Sequence, residues 1–307
     1  MHLLIACDVG GTQIKAGVLS ETGTLAGGLH YFDARANESK VFLLDHFMDI
    51  FRRMAALVPA GAQISGLGMA FPGDFDYENG ISLIQGLDKY GALYRVNLKQ
   101  ELGERIRRAP ELHEKCAPDF QLLFLHDIAA FLLGKICEGI PHGTERVMAL
   151  CIGTGAGSSF ADRGRIVGAE VPGVPERGWI YNTLFRESIL DDYISVRGLA
   201  RITGDYFSVP ADGKMLFELA EAGNAGAKEV FARFGADIAA AVLPFLYGFR
   251  PRVLLLGGQI AKSFRYFGGT LRLTCDRFGI EIQIAYDTSE AAVYGIFEEF
   301  SRRKSEK

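Results

Sequence analysis

Two stretches of this chain, near residues 3–32 and 147–167, repeat one pattern: apolar strand, glycine turn, strand, tight turn, third strand. The first copy runs Leu3–Asp8, turns at Gly10-Gly11-Thr12, continues as Ile14–Leu19, and turns again at Gly23 before Leu25. The second runs Val147–Ile152, turns at Gly153-Thr154-Gly155-Ala156-Gly157, continues as Ser158–Ala161, and turns at Gly164 before Ile166. Short apolar runs punctuated by glycine predict antiparallel hairpins, so two halves of the chain open with the same unit. Glycine at the turns lets main-chain N–H groups approach an anion, since no Cβ intervenes. Thr12 adds a hydroxyl, Gln13 borders the turn, and Asp8 can hold a hydrated cation. The spacing is not that of a Walker loop. Taken alone, Asp8-x-Gly10-Gly11-Thr12 serves equally as a hairpin turn after a buried strand. The second copy favours phosphate binding, because two such loops facing each other across a cleft would hold a triphosphate from both sides. A third glycine turn, Gly257-Gly258, follows the apolar strand Val253–Leu256. It leaves room for a flat ring or a ribose, or serves close helix packing.

The chain has 307 residues, enough for two domains of ordinary size, and 49% of them are hydrophobic. A formal net charge of −4 gives no sign of nucleic-acid or membrane binding. The five cysteines (7, 116, 137, 151 and 275) are scattered without metal-ligand spacing. Cys7, Cys137 and Cys151 lie in apolar runs, as buried thiols do. That usage points to a reduced, cytoplasmic protein. His2, His30, His46, His113 and His142 have no metal-site spacing either. The apolar start is short, lacks a basic flank and meets Asp8, so it reads as a core strand and not a signal peptide. No segment approaches the ~20 apolar residues of a membrane span.

Periodicity predicts a helix over Lys40–Leu57, with Val41, Leu44, Phe47, Phe51, Met54 and Leu57 on one stripe. Further helices are predicted at Leu98–Arg107, Ile128–Cys137, Arg186–Thr203, Ala225–Leu246 (bent near Pro244) and Ser289–Arg303, the last capped by Ser289. Strands are predicted at Ile64–Met69, Phe120–Leu125, Val253–Leu256 and Ile280–Ala285. The polar stretch 108–119 is the best crossing point between domains.

Asp127 follows the apolar strand Phe120–Leu125 and opens a helix. It fits two roles: a carboxylate delivered at a strand end as a general base, or a helix cap. Lys15 is either a phosphate neutraliser or a surface strand lysine.

The order of these motifs resembles the phosphate-1, phosphate-2 and adenosine motifs of the actin, sugar-kinase and heat-shock-protein ATPase superfamily. Within it, Gly66–Gly73, Leu125–Ala130, Pro175–Trp179 and Asp287–Gly295 resemble the ROK family of bacterial sugar kinases and repressors. The resemblance covers nearly the whole chain. It implies an α/β, two-domain actin-like ATPase (ribonuclease H-like) fold with a cleft between the domains. The expected division is 1–115 plus 289–307 as a smaller domain and 116–288 as a larger one. It also implies ATP and Mg2+, with Asp8 holding the magnesium through water. Phosphates would be bound at Gly10, Gly11, Thr12, Gln13, Lys15, Gly153, Thr154 and Gly155, and the adenosine at Gly257 and Gly258. Asp127 takes the place of the family's catalytic aspartate.

The sugar site departs from the family pattern. The usual Asn-Asp is His126-Asp127, so His126 either replaces the asparagine's contact to a sugar hydroxyl or alters substrate choice. Glu176 matches the glutamate of the family's Glu-x-Gly-His, whereas Trp179 stands at the histidine. The cysteines of the family's structural zinc are missing, and the chain is expected to bind no zinc. Trp179 would stack on a sugar or fill the space of the zinc site. After Pro72-Gly73, Gln85-Gly86-Leu87-Asp88 replaces the family's sugar loop, making Gly73, Gln85 and Asp88 candidate sugar contacts. The resulting expectation is a cytoplasmic kinase moving the γ-phosphate of ATP to a hydroxyl, the 6-hydroxyl of a hexose by resemblance. Its partner is a small sugar, with no nucleic acid or membrane, and a homodimer is compatible with it. The glycine motif already begins at Asp8, which disfavours a repressor with an N-terminal DNA-binding domain. Two rivals stay open: a non-catalytic sensor of sugar or nucleotide, and a kinase for a modified sugar or a non-sugar alcohol.

Overall fold

The computed structural model describes residues 1–86, 88–139, 146–207, 212–286 and 289–306. The chain divides into two compact units: Met1–Glu138 with Ser289–Lys307, and Gly139–Thr288.

The first unit holds β1 (His2–Val9), β2 (Gln13–Ser20), β3 (Leu25–Asp33), α1 (Lys40–Ala56) and β4 (Gln63–Phe71). The small hairpin β5 (Phe75–Asp76) and β6 (Ile81–Ser82) follows, then α2 (Leu98–Arg107), the single turn α3 (Pro110–His113), β7 (Cys116–His126) and α4 (Asp127–Cys137). Its sheet has the order β3-β2-β1-β4-β7. The hairpins β1–β2 and β2–β3 are antiparallel, and β4 and β7 add in parallel. One face packs on α1, whose Leu43, Leu44, Phe47, Phe51 and Met54 are buried. Ser39 Oγ caps that helix by accepting the Phe42 N–H at 3.3 Å. Two residues of the expected stripe, Val41 and Leu57, lie at its ends and are exposed.

The other face is closed by α4 and the C-terminal helix Ser289–Ser305, through Leu4, Ala6, Leu123, Leu125, Val293 and Ile296. Glycines set how closely these layers approach. A Cβ on Gly66 or Gly68 would run into Phe300 or Ile296, and one on Gly134 or Gly295 into the opposite helix's backbone. The division therefore differs from the expected boundary at 115. Residues 116–137 belong to the first unit, because β7 extends its sheet and α4 lies against the C-terminal helix.

The second unit repeats the topology. β8 (Arg146–Ile152), β9 (Ala156–Asp162) and β10 (Arg165–Val167) form the antiparallel part of a sheet ordered β10-β9-β8-β13-β14. The hairpin β11 (Leu184–Phe185) and β12 (Ser188–Ile189) follows, then α5 (Asp191–Ile194), α6 (Val196–Tyr206), α7 (Gly213–Glu221) and α8 (Ala225–Phe249). β13 (Val253–Gly257) and β14 (Glu281–Ile284) are the parallel additions, with α9 (Phe264–Asp276) between them.

The helix expected over Arg186–Thr203 is a hairpin and two helices instead, because Ser195 is extended (φ −115°, ψ −174°) and caps α6. Helix α8 runs through Pro244 to Phe249 and ends on Arg250 in the left-handed region. By length and composition α8 could cross a bilayer, contrary to the expectation that no segment comes close. Its Val230, Phe231, Phe234, Ile238, Val242 and Leu246 are buried in the core of the second unit. Of the cysteines expected to be buried, Cys7 is, Cys151 is half-buried and Cys137 is exposed. Ser289 begins the last helix; its side chain, expected to cap it, and His142 lie outside the described residues.

Candidate active site

In the first unit, parallel strands deliver two carboxylates to one end of the sheet. Asp8 is the penultimate residue of β1, paired in register with Lys15 on β2 and Ala70 on β4. Asp127 follows β7, whose last residue, His126, stands beside Phe71 at the end of β4. Asp8 Oδ2 lies 3.5 Å from Lys15 Nζ. Burial lifts the Asp8 pKa to about 6; Lys15 opposes the rise and the nearby charge of Asp127 adds to it. Asp8, with the charge of Asp127 close enough to act on it, is a donor suited to Mg2+, which binds through one or two carboxylates, water and substrate phosphates. No group of three or more potential His, Cys, Asp or Glu ligands occurs among the described residues.

The Asp8 shift makes stability depend on pH. The unfolded carboxyl ionises near pH 4 and the folded one near 6, so ionisation increasingly favours the unfolded chain between those values. We expect Asp8→Asn to raise the apoprotein's stability by about 3 kcal/mol above pH 6 and to give no gain below pH 4. Melting curves of both proteins at pH 4, 5, 6 and 7.5 test this. A difference that stays constant across the series would be incompatible with it.

Asp127 occupies the first helical position of α4, and the N-cap is His126, whose side chain makes no capping bond. One Asp127 oxygen accepts the Ile128 N–H at 2.8 Å and lies 3.4 Å from His126 Nε2. Burial pushes the His126 imidazole below its usual range, the Asp127 charge pulling the other way, so His126 is neutral at pH 7. Tyr77, which carried no sequence signal, links this corner to Gly73. Its ring meets His126 edge-on at 6.0 Å, and its hydroxyl lies 2.9 Å from the carbonyls of both Phe71 and Gly73. Gly73 has φ +79°, which a side chain would strain. Gln85 and Asp88 are exposed on the loop after β6.

The turn between β1 and β2 requires glycine. The Gly10 N–H donates to the Gln13 carbonyl at 3.0 Å, and a Cβ on Gly10 would lie 2.8 Å from that oxygen. The Thr12 carbonyl accepts the Ala34 N–H at 2.9 Å, and Gly11, Thr12 and Gln13 are exposed.

In the second unit the equivalent turn is closed by the Gly153 N–H on the Gly155 carbonyl at 2.9 Å. In each turn one glycine N–H expected to meet phosphate is thus engaged by the turn itself. Asp191 and Arg197, which lie in the stretch expected to be one helix over Arg186–Thr203, brace this second turn. The Asp191 carboxylate accepts the Ala156 N–H at 2.6 Å and pairs with Arg197, whose Nη1 donates to the Thr154 carbonyl at 3.4 Å. Gly257 ends β13 beside Cys151, and Gly258 (φ +87°) packs against the Ile152 backbone, which leaves no room for a Cβ. Glu176 is exposed on a single helical turn held beneath by Ser158 Oγ, which donates to the Gly178 carbonyl at 2.7 Å. The Arg177 guanidinium lies over the Trp179 ring at 5.1 Å.

The chain is 26% identical over 294 residues to a glucokinase of Thermotoga maritima, covering 88% of this chain and 86% of that protein. Its fold matches a ROK hexokinase from Thermus thermophilus with a TM-score of 0.78 at 20% identity, over 98% and 99% of the two chains. It also matches a ROK family glucokinase from Streptomyces griseus in complex with glucose and AMPPNP, with a TM-score of 0.70 at 17% identity over 98% and 99%. The architecture is therefore the α/β actin-like ATPase fold that the motifs imply. The ROK family model matches residues 4–282, nearly the whole length, and the chain belongs to the ROK family.

Proposed function

We propose that this chain is an ATP-dependent sugar kinase that moves the γ-phosphate of ATP to a hydroxyl of a hexose, the 6-hydroxyl of a glucose-like sugar. The carrying observation is the pair of carboxylates at one end of the first unit's sheet, Asp8 beside the glycine turn and Asp127 at the mouth of α4. Phosphoryl transfer needs phosphates held, charge neutralised, and an alcohol placed in line near a base. Asp127 accepts the proton of the attacking hydroxyl. Neutral His126 offers a hydrogen bond to a neighbouring sugar hydroxyl, and Gly73, Gln85, Asp88 and Glu176 are the remaining sugar contacts. Magnesium, when bound, would be held by Asp8 through water and would neutralise phosphate charge. The N–H groups of Gly11, Thr12, Thr154 and Gly155 hold phosphate oxygens, with Gln13 and Lys15 beside the first turn. Gly257 and Gly258 form the floor under the adenosine.

The bound glucose and AMPPNP of the Streptomyces griseus glucokinase, and the name of the Thermotoga maritima relative, support ATP and glucose as first choices. The test is ADP release with ATP and magnesium across a panel of hexoses, N-acetylated hexosamines and polyols. We expect at least one hexose to be turned over well above the ATPase background. A panel with no acceptor, from a protein that still binds sugar, would favour a sensor.

A further inference from the structure

We propose that Lys89 is a phosphate-binding residue of this chain, its ammonium standing over the Gly11 turn where the phosphates of ATP arrive. This rests on the nucleotide reading above and assigns a contact that the motifs do not contain. A Cβ built on Gly11 would lie 3.0 Å from Lys89 Cδ and 3.9 Å from its Nζ, so the lysine stem lies across the face of the turn that glycine leaves bare. Lys15, the cation suggested by the motif, is 3.5 Å from the Asp8 carboxylate and belongs to that pair. Among the described residues no carboxylate pairs with Lys89, so its charge is not consumed in holding the fold. A lysine serves phosphate as a point charge on a flexible stem.

The backbone around Lys89 is built to hold it there. Tyr90 is fully buried, with its ring 5.6 Å from Phe71 and 6.3 Å from Phe47. Its hydroxyl donates to the Gly10 carbonyl at 2.7 Å and its N–H to the Ala36 carbonyl at 2.6 Å. The residue that follows Lys89 is thus bonded directly to the phosphate turn, eighty positions away in sequence. Both neighbours have positive φ without being glycine, Asp88 at 31° and Tyr90 at 57°. Such conformations cost free energy and persist where the surroundings enforce them. Their product is a lysine aimed at Gly11.

The test is calorimetric titration of the intact protein, and of Lys89→Met and Lys89→Arg, with ATP in magnesium and with adenosine. A charge-assisted contact of ordinary strength corresponds to about 10- to 100-fold in Kd. We expect Lys89→Met to lose that factor for ATP and to bind adenosine as the parent does. Lys89→Arg should recover most of the loss. Unchanged ATP affinity in Lys89→Met would overturn the proposal and leave the kinase reading standing. Equal losses for ATP and adenosine, or a Lys89→Arg protein as weak as Lys89→Met, would assign Lys89 to packing and also overturn it. A parent protein that binds no ATP at all would remove the nucleotide reading, and this proposal with it.

Discussion

Asp127→Asn is expected to lose phosphoryl transfer by ~10²–10⁴-fold while keeping nucleotide binding, sugar binding and melting temperature close to the parent's. The substitution keeps the size of the side chain and an oxygen that can accept the Ile128 N–H, now at 2.8 Å. What it removes is the carboxylate proposed to accept the proton. A capping role would give the opposite result, since asparagine suits helix starts about as well as aspartate does. The structure places Asp127 at the start of α4, where one of its oxygens accepts the Ile128 N–H. Asp127 is the first residue inside α4 and not the N-cap, and no side chain caps that helix from His126. Turnover and melting temperature measured on one preparation decide between base and cap, and full activity in Asp127→Asn would leave the mechanism without a base.

Gly295→Ala is expected to lower stability by about 1–3 kcal/mol, and turnover at permissive temperature as well. Its new Cβ would meet the Ala130 carbonyl, as one on Gly134 would meet the Ala291 carbonyl. Both obstacles are main chain, which cannot swing aside as a flexible side chain can. The two helices must separate, and α4 carries Asp127 as its first residue. A displacement near 1 Å is enough to cost about 10²-fold in a reaction that depends on alignment. Gly103→Ala provides the contrast. Gly103 lies inside α2, where a Cβ would make ordinary contact at 3.6 Å with Leu122, so alanine should be neutral or stabilising there. A Gly295→Ala protein that melts and turns over like the parent would mean that the helix crossing tolerates a side chain.

The parts legible in the sequence are those written in local pattern. The two glycine-punctuated hairpins, the span of α2 and the placement of Asp127 at a helix start follow from periodicity and turn chemistry, and the structure has them. The beginning of β7 at Cys116 is hidden, because Pro118 and Asp119 break the apolar run ahead of Phe120. The Arg186–Thr203 stretch reads as one helix because Arg, Leu and Ile at helical spacing hide the break at Ser195, whose hydroxyl donates to the Asp191 carbonyl. The supports of the candidate site were illegible for a different reason. Tyr90 reaches Gly10 across eighty residues, and Asp191 reaches Ala156 across thirty-five. No local pattern encodes a partner at such range.

The return of the last helix to the first unit has a consequence for how the chain comes off the ribosome. Residues 139–288 form the second unit in one continuous stretch, synthesised between the two parts of the first. The earlier unit must wait. Until Val293, Ile296 and Phe300 emerge, the sheet face carrying Leu4, Ala6, Leu123 and Leu125 lacks its cover, and α4 lacks the neighbour that fixes it. Contacts that span nearly the whole chain are slow to form and leave apolar surface open to association. Asp127, at the head of α4, therefore waits on the arrival of the last helix before its position is fixed.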